Sequence, residues 1–299
     1  MADDVHGILL LDKPLGLSSA GAVARAKRLF GAAKAGHTGS LDPLAEGMLP
    51  ICFGEATKFA SGLLAADKSY EVTARLGERT ASADLESPVI ERRPLPGWSE
   101  ADLAAALAAF PREYPQVPPM HSAIKQAGRP LYEYARAGEI REREARRIEI
   151  HELRVLGYRA PDLRFFVRCS KGAYIRVLAE DIAATLDTVA HLTGLRRTAV
   201  TPFADQPVRG FEVLESMELA ERRRILLPVD AALQSVPRLE LPAIVVAALR
   251  QGRDVELSGE APGVVRMYSE DMGFFGLGEI GDRGRLAPLR LIAAAANRA

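Results

Sequence analysis

The hydrophobic residues of this chain follow the period of a strand in some segments and that of a helix in others. In residues 68–76, apolar and polar side chains alternate, as in a strand with one buried face. In residues 174–186, apolar residues recur at helical spacing. Because the two patterns do not alternate as a repeated strand–helix unit, they predict an α+β fold.

The character of the sequence changes after Pro228, where short β-rich runs are separated by glycine, proline and aspartate. Such runs predict a small β-barrel of about sixty residues. A chain of 299 residues is also long enough for a second domain. We therefore expect a large domain at residues 1–236 and a small one at residues 237–299. The runs are Arg238–Leu241, Asp254–Leu257, Val264–Tyr268, Phe274–Ile280 and Leu286–Ile292.

Local signals place one helix and two loops in the large domain. Ser18 or Ser19 is expected to cap a helix that runs to about Phe30. Two proline-containing stretches, residues 88–98 and 111–119, are predicted to be loops, and the second is expected to be functional.

The composition favours a soluble protein of the cytoplasm. No apolar run approaches the roughly 18 residues of a membrane span, and the first residues are acidic, unlike a signal peptide. The two cysteines, Cys52 and Cys169, are too few for a disulfide framework or a cysteine metal site. We therefore expect no membrane partner.

The net charge of zero conceals a local surplus of basic residues. Residues 121–180 contain 13 basic and 8 acidic side chains, whereas residues 61–120 contain 6 and 9. A local surplus of arginine suits contact with RNA phosphates. The alternating signs in residues 141–147 also suit an ordinary solvated face, so charge alone leaves the partner open.

Motifs for cofactors and other chemistries are incomplete. The chain has no phosphate-binding loop, and its histidines lack metal-ligand spacing. We therefore expect neither a metal nor an organic cofactor. Ser122 and Lys125 match the S-x-x-K pattern of serine acyl-transferring enzymes, but the companion motifs are absent.

The densest cluster of reactive residue types is GHTGSLDPLAEG, at residues 36–47. Its glycines allow the backbone to approach a ligand, and His37 and Asp42 could reach one pocket. Asp42 followed by Pro43 is also what a helix N-cap with proline at the first helical position looks like. The spacing alone favours the N-cap.

Six motifs in this chain, in order, resemble those of the bacterial TruB-type tRNA pseudouridine synthases. They are GILLLDKPLGLSS at Gly7, GHTGSLDPLAEGMLPICFGEATKF at Gly36, KSYEVTARLG at Lys68, LYEYAR at Leu131, CSKGAYIRVLAEDI at Cys169 and HLTGLRRTAV at His191. LLPVDAAL at Leu226 and the β-rich end continue the resemblance.

The resemblance implies a fold, a reaction and a partner. The fold would be a pseudouridine synthase catalytic domain with a mixed, largely antiparallel sheet and a central cleft, followed by a small PUA-like RNA-binding β-barrel. The reaction would convert uridine 55, in the T loop of tRNA, into pseudouridine after base flipping. The enzyme would be a monomer that binds the tRNA T stem-loop and needs no metal or organic cofactor.

The resemblance also implies three catalytic residues. Asp42 would be the carboxylate that faces the ribose, and Arg176 would hold it with both arms of its guanidinium. Tyr70 would stack on the flipped base, although strand alternation alone favours an ordinary sheet aromatic. Tyr174 and Arg176, two residues apart, are expected to face one side of an extended segment.

Four further residues are implied as substrate-binding. His37 would support the flipped-out arrangement of the RNA, and Tyr174 and Leu195 would line the uracil pocket. Lys13 fits either a structural or an RNA-facing role. From the residues alone, Leu195 is explained as ordinary core packing.

The chain departs from the family pattern around Asp84 and at His121. Ala81 and Ser87 occupy positions where an acidic residue and a glycine are common, so the turn after Asp84 is open to question. His121 occupies a position where an aromatic residue is frequent. The alternative function is a tRNA-binding or tRNA-folding module without catalysis, which would not need Asp42, Tyr70 and Arg176 together.

Overall fold

The computed structural model describes residues 5–257 and 259–293. The outer ends of the two predicted domains, residues 1–4 and 294–299, lie outside the described residues, as does residue 258.

The elements of the first half begin with a strand and a helix joined by a short turn. In chain order they are β1 (Gly7–Lys13), α1 (Ser19–Phe30), β2 (Ala35–His37), β3 (Ala45–Phe53), a 3-10 helix (Gly54–Phe59), α2 (Ala60–Leu64), β4 (Lys68–Leu76), β5 (Glu78–Thr80), β6 (Val89–Arg92), α3 (Glu100–Ala109), β7 (Glu113–Gln116), β8 (Lys125–Gln126), β9 (Arg129–Pro130) and α4 (Leu131–Arg136).

The second half contains the two longest strands of the central sheet and then the elements of a smaller sheet. They are β10 (Arg146–Arg159), β11 (Asp162–Cys169), α5 (Ile175–Thr185), β12 (Ala190–Val200), α6 (Phe211–Ser216), α7 (Leu219–Arg224), a 3-10 helix (Ala231–Leu233), β13 (Arg238–Glu240), α8 (Ala243–Arg250), β14 (Val255–Glu256), β15 (Gly263–Ser269), β16 (Gly273–Ile280) and β17 (Arg285–Leu291).

An eight-stranded sheet forms the centre of the molecule, in the order β1-β3-β12-β4-β11-β10-β7, with β2 also paired to β3. All of these pairings are antiparallel except that of β3 with β12, which is parallel. The predicted α+β fold with a mixed, largely antiparallel sheet is therefore confirmed.

The parallel pairing of β3 with β12 depends on a glycine. Gly47 has a φ of +101°, which side chains other than glycine rarely adopt. A Cβ atom at this position would lie 2.3 Å from the carbonyl oxygen of Arg197 on β12. Gly47 therefore lets the two backbones approach, and this contact fixes the position of the segment that precedes β3.

Helix α1 begins and ends as its sequence predicts. The Ser18 hydroxyl accepts a hydrogen bond from the Gly21 backbone N–H, and Gly31 ends the helix in the left-handed conformation. Ala26 and Phe30 are buried against the sheet. Helix α1 therefore covers one face of the sheet beside β2 and β3.

The prediction of loops at residues 88–98 and 111–119 is partly wrong, because each contains a short strand. Strand β6 pairs with β5, and β7 forms the edge of the central sheet beside β10. An edge strand tolerates proline, since one side of its backbone needs no partner. Pro115 in β7 therefore does not prevent pairing.

The C-terminal sheet has five strands in the order β13-β15-β16-β17-β14. The five predicted β-rich runs are therefore confirmed as strands, whereas α8 was not predicted. The sheet encloses a core of its own that includes Leu249, Met267 and Phe275. A second cluster joins it to the larger part of the molecule, and in it Phe274 packs against both Phe59 and Tyr268. None of the helices described has the length and apolar character that a membrane span requires.

Candidate active site

The segment that carries Asp42 connects β2 to β3 without forming a helix. The backbone N–H of Ala45 donates to the Asp42 carbonyl at 3.0 Å, and the chain then enters β3 directly. The N-cap interpretation of Asp42 is therefore wrong. Its carboxylate is left free of local capping and lies on the wall of the central cleft.

Ser19, in the first turn of α1, clamps this segment. Its hydroxyl donates to the Leu41 carbonyl at 2.9 Å and accepts from the Leu41 N–H at 2.8 Å. The Gly16 N–H also donates to the Pro43 carbonyl at 2.7 Å. Both neighbours of Asp42 are thus bonded to the chain around α1, so the position of its carboxylate is well determined.

The guanidinium of Arg176 lies against the Asp42 carboxylate, with 2.9 Å between Nε and Oδ2. The expected pairing is present, but it is not the bidentate one, because the other two nitrogens are engaged elsewhere. Nη1 donates to the Ser82 carbonyl at 2.9 Å, and Nη2 donates to the His121 carbonyl at 2.7 Å. The Arg176 side chain is 5% exposed, whereas that of Asp42 is 43% exposed. A buried cation thus holds an accessible acid.

The expectation of an extended segment around Tyr174 and Arg176 is also wrong. Tyr174 is the N-cap residue of α5, and Arg176 lies in the first turn of that helix. Both side chains still line the same cleft. The start of the helix, rather than the alternation of a strand, brings them together.

Asp84 is a second carboxylate near Arg176 and was not predicted to be a site residue. Its Oδ2 lies 3.7 Å from Arg176 Nε, and its side chain is buried. Its Oδ1 accepts from the Glu86 N–H at 2.9 Å and from the Ser82 hydroxyl. The turn after Asp84 therefore forms, and Ser87 takes part in it by accepting from the Ser82 N–H at 2.8 Å.

The central cleft has a volume of about 400 Å³ and brings most of the predicted site residues together. Leu195, on β12, lines it, and its strand partners are Val72 on β4 and Ala45 on β3. Tyr70 lies on β4, and burial raises the pKa of its phenol to about 12. The site residues on the wall are Asp42, Tyr70, Tyr174, Arg176 and Leu195.

Two buried cations on the wall of the cleft were not predicted from the sequence. Both Lys68 and Arg197 line the cleft, and their charged groups are bonded to main-chain carbonyls. Arg197 donates to the carbonyls of Met48 (2.7 Å), Gly39 (3.1 Å) and Ser40 (3.5 Å). Lys68 donates to those of Ala66 (2.6 Å), Leu63 (3.1 Å) and Leu64 (3.2 Å). Carbonyl contacts of this kind depend on the fold and leave no local sequence signal.

Lys13 and His37 do not line the cleft. Lys13 is 0% exposed, and its ammonium donates to the carbonyls of Pro14 and Leu17. Of the structural and RNA-facing roles open to Lys13, this burial and these carbonyl contacts favour the structural one. His37 ends β2, and burial and the Arg197 charge lower the pKa of its imidazole. Its Nδ1 is buried without a hydrogen-bond partner among the residues described.

The basic block at residues 121–180 presents many of its charges to solvent. Arg141, Arg146 and Arg147 are exposed, and Arg141 pairs with Glu139 at 2.8 Å.

In the described ranges, no three metal-binding side chains converge. Ser122 is buried and Lys125 is exposed, so the S-x-x-K pair is not assembled as an acyl-transferring enzyme would need.

Comparisons with known proteins cover nearly the whole chain. Residues 27–175 match the family described as TruB family pseudouridylate synthase (N terminal domain). Residues 176–234 match the tRNA pseudouridylate synthase B C-terminal domain, and residues 237–292 match Pseudouridine synthase II TruB, C-terminal.

Relatives that carry the name tRNA pseudouridine synthase B include proteins of two bacteria. The protein of Burkholderia mallei (strain NCTC 10247) is 48% identical over 295 residues, which cover 96% of this chain and 97% of the relative. The protein of Chromohalobacter salexigens is 47% identical over 291 residues, which cover 96% of this chain and 94% of the relative.

A solved structure shares the fold. It is an H/ACA RNP bound to a substrate RNA containing 2'-deoxyuridine, and one of its chains superposes with a TM-score of 0.71. The match covers 98% of this chain and 87% of that chain at 22% identity. At this identity the likeness concerns the fold alone.

Proposed function

The chain belongs to the TruB family of pseudouridine synthases, and we propose that it isomerises uridine 55 in the T loop of tRNA to pseudouridine. The observation that carries the proposal is the ion pair of Asp42 with Arg176 on the wall of the central cleft. A binding protein has no need of a buried guanidinium that aims a solvent-accessible carboxylate into a cleft.

In the proposed mechanism, Asp42 starts the reaction at the ribose. Its carboxylate either attacks C1′, as in retaining glycosidases, or removes a ribose proton to give a glycal. In both routes the bond from C1′ to N1 breaks and a bond from C1′ to C5 forms. In the first route the ester bond from Asp42 to C1′ breaks as C5 attacks C1′, and in the second Asp42 returns the proton to the ribose. The proton on C5 is then lost to water, while N1 gains one. The isomerisation is therefore balanced without any other reactant.

The other residues of the cleft suit a flipped uracil. Removing a base from its stack costs a few kcal/mol, and stacking on an aromatic side chain returns about 1–3 kcal/mol. Tyr70 supplies that surface on β4, and Leu195 and Tyr174 bound the same cleft. These contacts would hold the uracil while it rotates between bond breaking and bond formation.

We also propose that residues 1–236 form the catalytic domain and residues 237–299 a PUA-like RNA-binding domain. The separate core of the C-terminal sheet supports this division. The exposed arginines of the 121–180 block would contact phosphates of the T stem-loop.

Replacement of the acid tests the proposal. With an unmodified tRNA transcript that carries tritium at C5 of uridine, the wild-type protein should release tritium as pseudouridine forms. Asp42→Asn keeps the shape of the side chain but removes the reacting oxyanion, so release should fall by at least about 10³-fold. Binding of the transcript, measured by filter retention, should change little.

A matched control is available in Asp162→Asn. Asp162 is also a partly exposed aspartate paired with an arginine, Arg75, at 3.0 Å, but it lies away from the cleft. This variant should react at the wild-type rate. Tritium release by Asp42→Asn at that rate would refute the assignment, and a wild-type protein that binds tRNA without releasing tritium would instead support the binding or folding module.

A further inference from the structure

We propose that Gln116, the last residue of β7, is a positioning residue for the reaction, because its side-chain amide holds the start of α5 and thereby places Tyr174 and Arg176. This inference rests on the proposed function, since it assigns Gln116 a part in the same site. Gln116 does not line the cleft, so it would act only through the residues that it holds.

The amide of Gln116 bonds to both main-chain groups of Tyr174. Its Oε1 accepts from the Tyr174 N–H at 2.7 Å, and its Nε2 donates to the Tyr174 carbonyl at 3.2 Å. Tyr174 is the N-cap of α5, and its own side chain makes no capping hydrogen bond. The start of a helix has backbone N–H groups without partners inside the helix. A side chain from the edge strand therefore supplies the anchor.

The orientation of this amide is fixed by a second pair of residues. The hydroxyl of Tyr114 donates to Asp181 Oδ2 at 2.8 Å, and Gln116 Nε2 lies 2.9 Å from the same hydroxyl. Because the proton of Tyr114 points to the carboxylate, its oxygen must accept from Gln116. The amide nitrogen consequently faces Tyr114 and the amide oxygen faces the Tyr174 N–H. Gln116 is 2% exposed, so water does not compete for these contacts.

The anchor bears directly on the catalytic pair. Arg176 follows Tyr174 by two residues, and its Nη2 donates to the carbonyl of His121, which lies on the chain leaving β7. A shift of the first turn of α5 would move the guanidinium relative to Asp42 and the Tyr174 ring relative to the uracil. A misplacement of about 1 Å in such groups can lower a rate by about 10²-fold.

The test uses Gln116→Glu in the full chain. This variant keeps the shape and one acceptor but replaces the donating nitrogen with an oxygen, which in its ionised form repels the Tyr174 carbonyl. Single-turnover tritium release at about pH 8 should fall by about 10- to 100-fold. The dissociation constant for tRNA should change little, because no RNA-facing group is altered, whereas the buried negative charge should lower the melting temperature.

A pH series separates positioning from a merely structural role. A buried carboxyl takes up a proton more readily than an exposed one, and its protonated form can again donate to the Tyr174 carbonyl. Two charged groups lie near position 116. Asp181, on the far side of Tyr114, favours protonation of the introduced carboxyl. The exposed Arg146, on the paired strand β10, opposes its protonation. The loss of rate relative to wild type should therefore shrink between about pH 8 and about pH 6.

Two further variants complete the experiment. Gln234→Glu makes the same change at an exposed glutamine and should leave the rate unchanged. Tyr114→Phe keeps Gln116 but removes the hydroxyl that orients it, and should lower the rate several-fold with unchanged tRNA binding. If Gln116→Glu does not fold, Tyr114→Phe becomes the test of the proposal. A wild-type rate in Tyr114→Phe would then overturn it.

A Gln116→Glu variant that folds and reacts at the wild-type rate would overturn the proposal. A loss that is constant with pH and matched by weaker tRNA binding would do the same. Failure of the proposed function itself would look different, because the wild-type protein would then release no tritium.

Discussion

Lys13, Lys68 and Arg197 are buried cations that are held mainly by main-chain carbonyl groups. A buried charge is tolerated only when its hydrogen-bonding groups are satisfied, and here the backbone of the segments around the cleft satisfies them. Charges inside the protein are screened by salt less than charges on its surface. Lys68 and Arg197, which line the cleft, therefore give it a positive character that suits an anionic substrate.

Lys13 provides a prediction about stability and pH. Burial lowers the pKa of its ammonium to about 8, from 10.5 when unperturbed. Between these two pH values the unfolded chain binds a proton that the folded chain does not, so stability rises with pH. The melting temperature of the wild type relative to Lys13→Met should therefore increase from about pH 8 to about pH 10. The exposed Lys34→Met control should show no such trend, and a falling difference would contradict the assignment.

The residues of the site differ in how far the sequence could reveal them. Asp42 and Arg176 were identified through motif resemblance, and their ion pair is present. Ser19 and Gln116 were not identified, because each bonds to the backbone of a residue 22 or 58 positions away. A side chain that holds a distant main-chain group has the same local sequence as one that faces solvent, so only the fold reveals its task.

At the scale of elements, the start of α1 serves two purposes with adjacent serines. Ser18 caps the helix, whereas Ser19 clamps Leu41 beside Asp42. Ser18→Ala should lower stability by about 1 kcal/mol and leave the reaction rate unchanged. Ser19→Ala leaves two buried backbone groups of Leu41 without a partner, which costs about 1–3 kcal/mol. It should also slow tritium release, because the segment carrying Asp42 is no longer fixed.

The two serine variants form their own control, since they remove the same hydroxyl from neighbouring positions. Single-turnover rates and denaturant unfolding of both variants check the prediction. Equal rates for Ser19→Ala and Ser18→Ala, at comparable stability, would show that the clamp does not position the acid.

At the scale of elements, strand prediction succeeded where the local pattern is clear and failed for β12 and β7. Strand β4 was predicted with its observed bounds, Lys68–Leu76, because its apolar and polar residues alternate. Strand β12, Ala190–Val200, was not predicted from periodicity. It lies between β3 and β4 and its polar residues are partly buried, so alternation is lost. Strand β7 was missed because Pro115 within it and the prolines that flank it are typical of a loop, although an edge strand accepts proline.

At the scale of the whole molecule, the two sheets share an apolar cluster. Phe274 of the C-terminal sheet packs edge-on against Phe59, with ring centres 5.4 Å apart, and against Tyr268 at 5.5 Å. Phe274→Ala should lower the free energy of unfolding by about 3–5 kcal/mol. Because the cluster contains residues from both parts, urea should still unfold the variant in one transition.

The exposed Leu289→Ala serves as the control for Phe274→Ala and should change the stability little. A Phe274→Ala protein as stable as the wild type would show that the cluster does not join the two parts. Because of this shared core, deletion of the whole C-terminal sheet would expose Phe59 and its neighbours. A single substitution is therefore the cleaner probe of how the parts depend on each other.

The parallel pairing of β12 with β3 has a consequence for how the protein is made. Ala45 of β3 pairs with Leu195 of β12. After Ala45, the ribosome must therefore add about 150 more residues before β3 can pair with β12. At translation rates of about 5–20 residues per second, this delay is roughly eight to thirty seconds. Until β12 emerges, β3 and β4 each expose an edge where another chain could add, and the cleft lacks one wall. The nascent chain should therefore gain its active site, and lose its tendency to aggregate, in one late step of synthesis.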